Sequence, residues 1–413
     1  MGKRIYLDNA ASTPVDSRVK KAMEPYFSEI FGNPGSIHSF GQEAQIGVDR
    51  ARKQIADFLG CSSREIIFTG SATEANNLAV KGIAGAAAAS RGKDFIQHII
   101  TSAFEHESIL DPCRQLEKSG LAEITYLPVS RDGFVSPEDV KKSLKENTVL
   151  VSVMYANNEI GTIQPIAEIA KIIRDFRNQK LSGFARSREA REILNSKFEI
   201  NSKSGAVLPL LHTDAVQAVQ FLDCGVDNLG VDFLSLSGQK IYGPKGVGAL
   251  FVRSGVKIEP LVSGGMQESG RRGGTENVPG IVGLGAAVEL AAEGQKDGTS
   301  AKIETLRNKL IEGILKSAKS AALNGSFKNR LPNNANILFK NAAAEMMIIA
   351  LDSEGIAVSA GSACSAKALK PSHVLRAIGL SEKDASSSLR FTLSKLTTEE
   401  EIDTALEKLI KLT

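Results

Sequence analysis

Residues 231–252 read VDFLSLSGQKIYGPKGVGALFV. Two apolar runs, Val231 to Leu236 and Val247 to Val252, have the length and composition of buried strands. The short turn between them consists of small and polar residues and contains Lys240. A lysine directly after a buried strand, among hydroxyl groups and glycines, stands where a Schiff-base lysine would sit, although most lysines are solvated surface groups. The stretch predicts an α/β protein whose chemistry lies at a strand end.

Short apolar runs alternate with helix-length stretches from about residue 60 onward. This alternation is typical of βα units around a mostly parallel sheet, whose strand ends carry the ligand site. We therefore expect a large α/β domain over residues 20–260, with a smaller α+β domain formed by residues 1–19 and 261–413. The runs before Val231 are Ile66 to Thr69, Phe95 to Thr101, Ile124 to Leu127, Val149 to Met154 and Ala206 to Leu211.

The smaller domain is indicated by a change of pattern beyond about residue 295. Long amphipathic stretches alternate there with short strands such as Asn336 to Phe339 and Ile356 to Ser359. Thr398 and Glu401 form a capping-box pattern that predicts the start of the last helix.

One polar stretch, residues 177–205, interrupts a helix-to-strand connection and is far longer than usual connections. It contains seven basic and three acidic residues, and we expect part of it, around Ser187 to Asn195, to be helical. This composition is compatible with a solvated surface loop and also with a segment that contacts a partner or RNA.

Composition excludes several classes of protein. A chain of 413 residues with 42% hydrophobic and 23% charged residues is neither disordered nor fibrous. Its formal net charge of +3 gives no reason to expect direct DNA binding. The N-terminal residues MGKRIYLDNA show no apolar signal region and no long apolar run follows, so we expect a cytoplasmic location without membrane association. Cys61, Cys113, Cys224 and Cys364 have no metal-ligand spacing, so no resident metal is expected.

Asp214, in the motif HTDAVQ that follows another apolar run, lies 26 residues before Lys240. A carboxylate held against the pyridine nitrogen of pyridoxal 5'-phosphate (PLP) keeps the ring protonated, which is what makes the ring an electron sink. An N-cap for a helix starting at Ala215 is an equally good interpretation of this residue alone.

Two other strand ends carry polar motifs. Thr69 to Asn76 reads TGSATEAN, which offers backbone N–H groups and hydroxyls for a phosphate at a helix start, or an ordinary helix cap. Ser237 and the turn that contains Thr275 could add hydroxyls. His106, in the motif FEHE, opens a helix at the same sheet edge and is a candidate general acid/base or ring-stacking group, the alternative being a structural histidine.

Cys364 lies in the small-residue run SAGSACSAK, after a predicted strand. Small residues allow a loop to move, as a thiol travelling between two sites requires. A buried, inert cysteine is the usual alternative, which fits Cys61, Cys113 and Cys224 better.

Together these stretches resemble the cysteine desulfurases, a branch of the class V aminotransferases within the fold-type I PLP enzymes. The resemblance runs nearly end to end and lapses mainly over residues 177–205. The residues after Cys364, PSHVLRAIG from Pro371, resemble the group I (NifS and IscS type) enzymes, which favours cysteine over selenocysteine as substrate. Further matching motifs are YLDNAASTP from Tyr6, FGNP from Phe31, NNEIG from Asn157 and SSLRF from Ser387.

The resemblance implies a large domain with a mostly parallel seven-stranded sheet, PLP as cofactor and a homodimer. It also implies that Lys240 forms the Schiff base, that Asp214 holds the pyridine nitrogen and that His106 stacks on the ring. Gln217 and Asn158 would contact the ring hydroxyl and the substrate, and Arg390 would bind the substrate carboxylate. The phosphate would be bound by Ala72, Thr73, Ser237 and Gln239, with Thr275 reaching across from a second subunit. Gln239 stands where the family usually has histidine, so it can donate a hydrogen bond but cannot be cationic.

The activity that the resemblance implies is conversion of L-cysteine to L-alanine, with the sulfur held as a persulfide on Cys364. The persulfide acceptor would be an iron-sulfur scaffold protein or a sulfur carrier, for cluster assembly and tRNA thiolation, and Cys364 could transiently ligate a cluster with a scaffold partner. Two other interpretations remain open: an aminotransferase or β-eliminating lyase with a structural Cys364, and a non-catalytic sulfur-relay or RNA-binding platform.

Overall fold

The computed structural model of the chain describes residues 4–92, 95–184, 208–361 and 371–412. Cys364 and the predicted helix around Ser187 to Asn195 lie outside these residues. Residues 177–184 of the predicted insertion continue a helix that begins at Ile166.

The larger sheet has seven strands in the order β2-β8-β7-β6-β5-β3-β4. All neighbouring pairs are parallel except those of β8, which runs antiparallel to β2 and β7. This confirms the mostly parallel seven-stranded sheet. The strands are β2 (Ile66–Thr69), β3 (Gln97–Ser102), β4 (Ala122–Leu127), β5 (Thr148–Ser152), β6 (Leu210–Asp214), β7 (Phe233–Ser237) and β8 (Gly248–Val252).

Helices cover both faces of this sheet, because successive strand residues point to opposite faces and both sets are apolar. Ile66 and Phe68 pack with the helices of one face, whereas Ile67 packs with those of the other. The first face carries α3 (Ser39–Leu59), the second α4 (Ala72–Arg91) and α5 (Glu107–Lys118). The remaining helices of this region are α1 (Ser17–Met23), α2 (Pro25–Ser28), α6 (Pro137–Ser143), α7 (Ile166–Phe184), α8 (Val226–Leu229) and α9 (Val278–Gly294).

A second core surrounds a three-stranded antiparallel sheet in which β10 (Asn334–Phe339) pairs with β9 (Ala321–Leu323) and β12 (Ser388–Thr392). The N-terminal β1 (Ile5–Tyr6) pairs with β11 (Ile356–Ala357), so the chain start lies beside this core. Thr398 and Glu401 form the predicted capping box. The helices here are α10 (Thr299–Ser317), α11 (Ala344–Ser353), α12 (His373–Ala377), α13 (Glu382–Ala385) and α14 (Glu399–Ile410).

The division into domains at residue 260 stays a prediction, and one packing observation bears on it. Helix α9 packs Ile281, Leu284 and Val288 into the same core as α3, beneath the large sheet. Residues up to about 294 therefore share the larger core, although they lie beyond the predicted boundary.

Candidate active site

A cavity of about 170 Å³ lies where the carboxyl ends of the parallel strands meet. Among the predicted site residues within the described part of the chain, all but Thr275 line it. Those residues are Ala72, Thr73, His106, Asn158, Asp214, Gln217, Ser237, Gln239, Lys240 and Arg390. Residues that sequence reasoning did not single out also line it: Ala10, Ala11, Ser71, Asn76, Ser108, Met154, Ala156 and Val216.

Lys240 ends a single 3-10 turn, Gly238–Lys240, that follows β7 directly. Its Nζ donates a hydrogen bond to the carbonyl oxygen of Ala11 at 2.5 Å. Gln217 donates to the neighbouring carbonyl of Ala10 at 3.1 Å. The N-terminal segment therefore forms one wall of the cavity beside the lysine, a contact between residues far apart in the sequence.

Asp214 is the last residue of β6, which begins and ends later than the predicted run Ala206 to Leu211. Its Oδ1 accepts from the backbone N–H of Val216 at 3.0 Å, and its Oδ2 accepts from Asn76 Nδ2 at 2.7 Å. Asp214 is not the N-cap of a helix starting at Ala215, since residues 216–221 form turns instead of a helix. One oxygen stabilises the local turn and the other points toward the cavity wall.

Asn76 connects Asp214 to His106 through Ser108. Its amide also donates to Ser108 Oγ at 2.8 Å, so the Ser108 hydroxyl hydrogen is available for His106 Nδ1, 2.8 Å away. The backbone N–H of Ser108 donates to the same Nδ1 at 3.1 Å. Because Nδ1 accepts twice, the proton of the neutral imidazole resides on Nε2. The sequence signal for Asn76 was its place three residues after Thr73, on the same face of α4.

The first turn of α4 supplies backbone N–H groups at Ala72 and Thr73. Ser71 caps the helix, its side chain accepting from the N–H of Glu74 at 3.1 Å. Gly248 permits a close approach here, since a Cβ on it would lie 2.9 Å from the nitrogen of Ala72. Together with the side chains of Ser237 and Gln239, this set of neutral donors at a helix N-terminus suits a phosphate group.

Arg390, on β12, is fully buried and held on two sides. Its Nη2 pairs with Asp8 Oδ1 at 2.8 Å, and its Nη1 donates to the carbonyl of Asn158 at 3.0 Å. Its buried Nε, and Oδ1 of Asn158, have no hydrogen-bond partner among the described residues. Buried polar atoms rarely stay unpaired, so this end of the cavity has the chemistry to bind a carboxylate and a polar donor.

Glu105 lies next to His106 in sequence and is completely buried. Its Oε1 accepts from Ser102 Oγ at 2.5 Å and from the N–H of Met154 at 2.9 Å. Its Oε2 has no partner within the described part of the chain. Burial raises the pKa of Glu105 to about 8, against these two donors, so the carboxyl is largely protonated at neutral pH. Sequence reasoning missed this residue, although the motif FEHE contains it.

One predicted site residue of the described part of the chain, Thr275, does not line this cavity. Thr275 lines a separate cavity of about 110 Å³, with Glu268 and Arg272. Cys364 lies outside the described residues. Burial raises the pKa of Cys61 and of Cys113 to about 12 each, and it raises the pKa of Cys224 as well, which leaves these thiols protonated and weakly nucleophilic.

Two features are absent from residues 4–92, 95–184, 208–361 and 371–412. No group of three or more histidine, cysteine, aspartate or glutamate side chains is placed to hold a metal ion. No helix there has the length and apolar character needed to cross a membrane.

A lysine after one strand, a carboxylate at the end of the neighbouring strand and a phosphate-type helix start are the groups that a PLP enzyme needs. A family model described as "Aminotransferase class-V" matches residues 5–181 and 199–405. Within that class, the chain belongs to the cysteine desulfurase family, and its cofactor is PLP. It is 46% identical to "Cysteine desulfurase IscS" of Dictyoglomus turgidum, over 100% of this chain and 95% of that protein. The group I resemblance is thereby confirmed.

Solved structures agree with this assignment. A "NIFS-LIKE PROTEIN" superposes with a TM-score of 0.84 at 35% identity, covering 99% of both chains. "SspA in complex with cysteine" superposes with a TM-score of 0.76 at 36% identity, covering 96% of this chain and 100% of that one. The fold-type I architecture is confirmed.

Proposed function

We propose that this chain removes sulfur from L-cysteine, releases L-alanine and holds the sulfur as a persulfide on Cys364. The observation that carries the proposal is that Lys240, Asp214 and Arg390 line one cavity. An amine, an acid and a guanidinium in one site are the groups needed to bind PLP and an amino acid together. The family assignment, and a relative whose structure is described as a complex with cysteine, support this substrate.

The residues of the cavity fit PLP group by group. The neutral donors at Ala72, Thr73, Ser237 and Gln239 would bind the phosphate, and Asp214, oriented by Asn76, would hold the pyridine nitrogen. Gln217 and Asn158 would contact the ring hydroxyl and the substrate, and His106 would stack on the ring. When bound, PLP supplies a protonated ring that withdraws electrons from the α-carbon of the substrate.

The chain's own groups then bind the substrate and move protons. Arg390 would clamp the substrate carboxylate, since Asp8 and the Asn158 carbonyl already fix the orientation of its guanidinium. Lys240 Nζ, on the wall of the cavity, would take the α-proton of the substrate. His106, with its proton on Nε2, would donate a hydrogen bond rather than accept one.

Cys364 would be the nucleophile that takes the sulfur. Its thiolate attacks the substrate sulfur, an S–S bond forms, and the bond between sulfur and the substrate Cβ breaks. The released electron pair is protonated at Cβ, which completes L-alanine. The high pKa values of Cys61 and Cys113 support this assignment, because neither offers a thiolate at neutral pH.

The test measures sulfide and alanine release from L-cysteine with added PLP and reductant. Lys240→Ala and Cys364→Ala should both lose activity, while Cys364→Ala keeps the visible absorption of bound PLP. Cys61→Ala serves as the matched cysteine control and should stay active. If Cys364→Ala still releases sulfide, a β-eliminating lyase becomes the better description. If the wild type neither binds PLP nor releases alanine, the chain is a non-catalytic platform.

We also propose a homodimer in which Thr275 reaches the site of the second subunit. Thr275 lines a separate cavity, and large apolar side chains are exposed near the N-terminus, as contact surfaces often are. Ile37 is 92% exposed, so Ile37→Asp should weaken an interface at this surface. Light scattering gives the oligomeric state of the wild type and of this variant. The proposed interface is wrong if both proteins are monomers or if the variant stays dimeric. The exposed apolar residues are Phe27, Phe31, Ile37, Phe40 and Ile46.

We propose that the persulfide acceptor is an iron-sulfur scaffold protein or a sulfur carrier. This acceptor fits the supply of sulfur for iron-sulfur clusters, the role that goes with the IscS name of the relatives. We further propose a cytoplasmic location, since Cys61, Cys113 and Cys224 are all free thiols and a reducing compartment preserves such groups. Cell fractionation and transfer of labelled sulfur to candidate acceptors test these two points.

A further inference from the structure

The N-terminal segment Asn9–Asp16 connects the smaller core to the turn that carries Lys240. At one end, Asn9 Nδ2 donates to the carbonyl of Thr392 at 2.8 Å, and the N–H of Ala10 donates to Thr392 Oγ1 at 2.9 Å. At the other end, the N–H of Asp16 donates to the carbonyl of Tyr242 at 3.0 Å. The segment thus lies between β12 and the lysine turn.

Thr13, in the middle of this segment, bonds to the backbone on both sides of Lys240. It is 3% exposed. Its N–H and its hydroxyl both donate to the carbonyl of Gln239, at 2.9 and 3.1 Å, and the hydroxyl oxygen accepts from the N–H of Tyr242 at 2.8 Å. A single hydroxyl is therefore donor to the residue before Lys240 and acceptor from the second residue after it.

The turn needs such support because its backbone is unusual. Tyr242 has a φ of 62°, a left-handed backbone conformation that residues other than glycine rarely adopt. This conformation costs roughly 1 kcal/mol or more. Gly243 follows, where a Cβ would meet the Gly238 carbonyl at 2.9 Å. The chain therefore reverses tightly within three residues of Lys240, and the Tyr242 N–H points to Thr13 instead of continuing a helix.

We propose that Thr13 is a positioning residue for Lys240: its hydroxyl holds the Gln239–Tyr242 backbone so that Nζ is presented to the cofactor. The inference rests on the proposed role of Lys240. Covalent attachment joins Nζ to the aldehyde carbon of PLP and releases one water, and it succeeds only if the amine lies against that carbon. Loss of the hydroxyl should weaken attachment, while the N–H of Thr13 still donates to the Gln239 carbonyl and keeps this phosphate-binding residue in place.

The test compares two ligands that share the phosphate and the ring. PLP has the aldehyde that reacts with Lys240, whereas pyridoxamine 5'-phosphate has an amine and cannot attach. In Thr13→Val, which keeps the shape and removes the hydroxyl, we expect about tenfold weaker binding of PLP and unchanged binding of pyridoxamine 5'-phosphate. Thr13→Ser should retain wild-type affinity for both ligands. Ser12→Ala, which removes a neighbouring hydroxyl that has no hydrogen-bond partner among the residues that the structure describes, should also bind both as the wild type does.

A double-mutant cycle with Lys240→Ala separates this inference from the proposed function. In the Lys240→Ala background, Thr13→Val should leave PLP binding unchanged. A tenfold loss in that background, equal losses for the two ligands, or no loss of PLP binding in Thr13→Val would each overturn the positioning role. If Lys240→Ala itself binds PLP as tightly as the wild type, the assignment of Lys240 is wrong. Should Thr13→Val not fold, Thr13→Ala gives the same comparison.

Discussion

Replacing Glu105 by glutamine should make the stability of the protein less dependent on pH. Burial raises the pKa of Glu105 from 4.5 to about 8 in the folded chain. When the chain unfolds, the carboxyl returns to its ordinary range and releases its proton above about pH 4.5. The folded state keeps that proton until about pH 8, so it binds one proton more than the unfolded state across this window.

The sign and the size of the effect follow from this difference in bound protons. The contribution of Glu105 to stability is complete below pH 4.5 and is lost as the pH rises toward 8. At about 1.4 kcal/mol for each pH unit, the loss over the window reaches roughly 5 kcal/mol. Glutamine cannot titrate, yet its oxygen can still accept from Ser102 and from the N–H of Met154.

The assay is urea unfolding followed by circular dichroism, at several values between about pH 5 and about pH 8. The free energy of unfolding of Glu105→Gln, relative to the wild type at the same pH, should rise steadily with pH. Glu138→Gln, at an exposed position with a distant lysine partner, is the control and should show a flat difference. Infrared absorption of a protonated carboxyl, present near pH 6 in the wild type and absent in Glu105→Gln, checks the same proton directly. A flat difference for Glu105→Gln would refute the reasoning.

Three further changes test the site. Arg390→Lys, which loses the planar fork, should raise the KM for L-cysteine at least about tenfold with little change in PLP affinity, and a KM within twofold would contradict the carboxylate clamp. Asn76→Ala removes a donor to the Asp214 carboxylate, so PLP should bind at least about tenfold more weakly, as a titration of visible absorbance would report. Ser372→Ala removes both a 2.5 Å hydrogen bond to Glu159 and the N-cap bond from the N–H of Leu375, so it should lower the free energy of unfolding by at least about 1 kcal/mol. An unchanged urea midpoint would show that the two bonds together contribute nothing.

The strands could be predicted from the sequence because apolar runs identify buried strands, and Lys240, Asp214 and His106 because polar residues at strand ends identify the ligand edge. The roles of Asn158, Gln217 and Arg390 come only from the resemblance to the cysteine desulfurases. The antiparallel direction of β8 could not be predicted, since a run such as Val247 to Val252 has the same composition in either direction. The place of α9 beneath the large sheet could not be predicted either, because its apolar residues are compatible with either core.

The missed site residues share a physical reason. Asn76 and Thr13 act through hydrogen bonds to residues far away in the sequence, and these bonds depend on tertiary contacts. The spacing from Thr73 predicts the helix face of Asn76 but not its partners Ser108 and Asp214. Glu105 was missed because an acidic residue in sequence is normally expected at the surface, and only its complete burial shows otherwise.

The contact of the chain start with β12 has a consequence for the order in which the molecule is assembled. Asp8 and Arg390 are 382 residues apart, so the pair that orients the guanidinium forms only after Arg390 has left the ribosome. The large sheet, complete once Val252 has emerged, already carries Asp214 at the end of β6 and Lys240 in the turn after β7, but it lacks the cavity wall to which Arg390 contributes. During synthesis, a nascent chain with its lysine in place still has no means to hold an amino acid beside it.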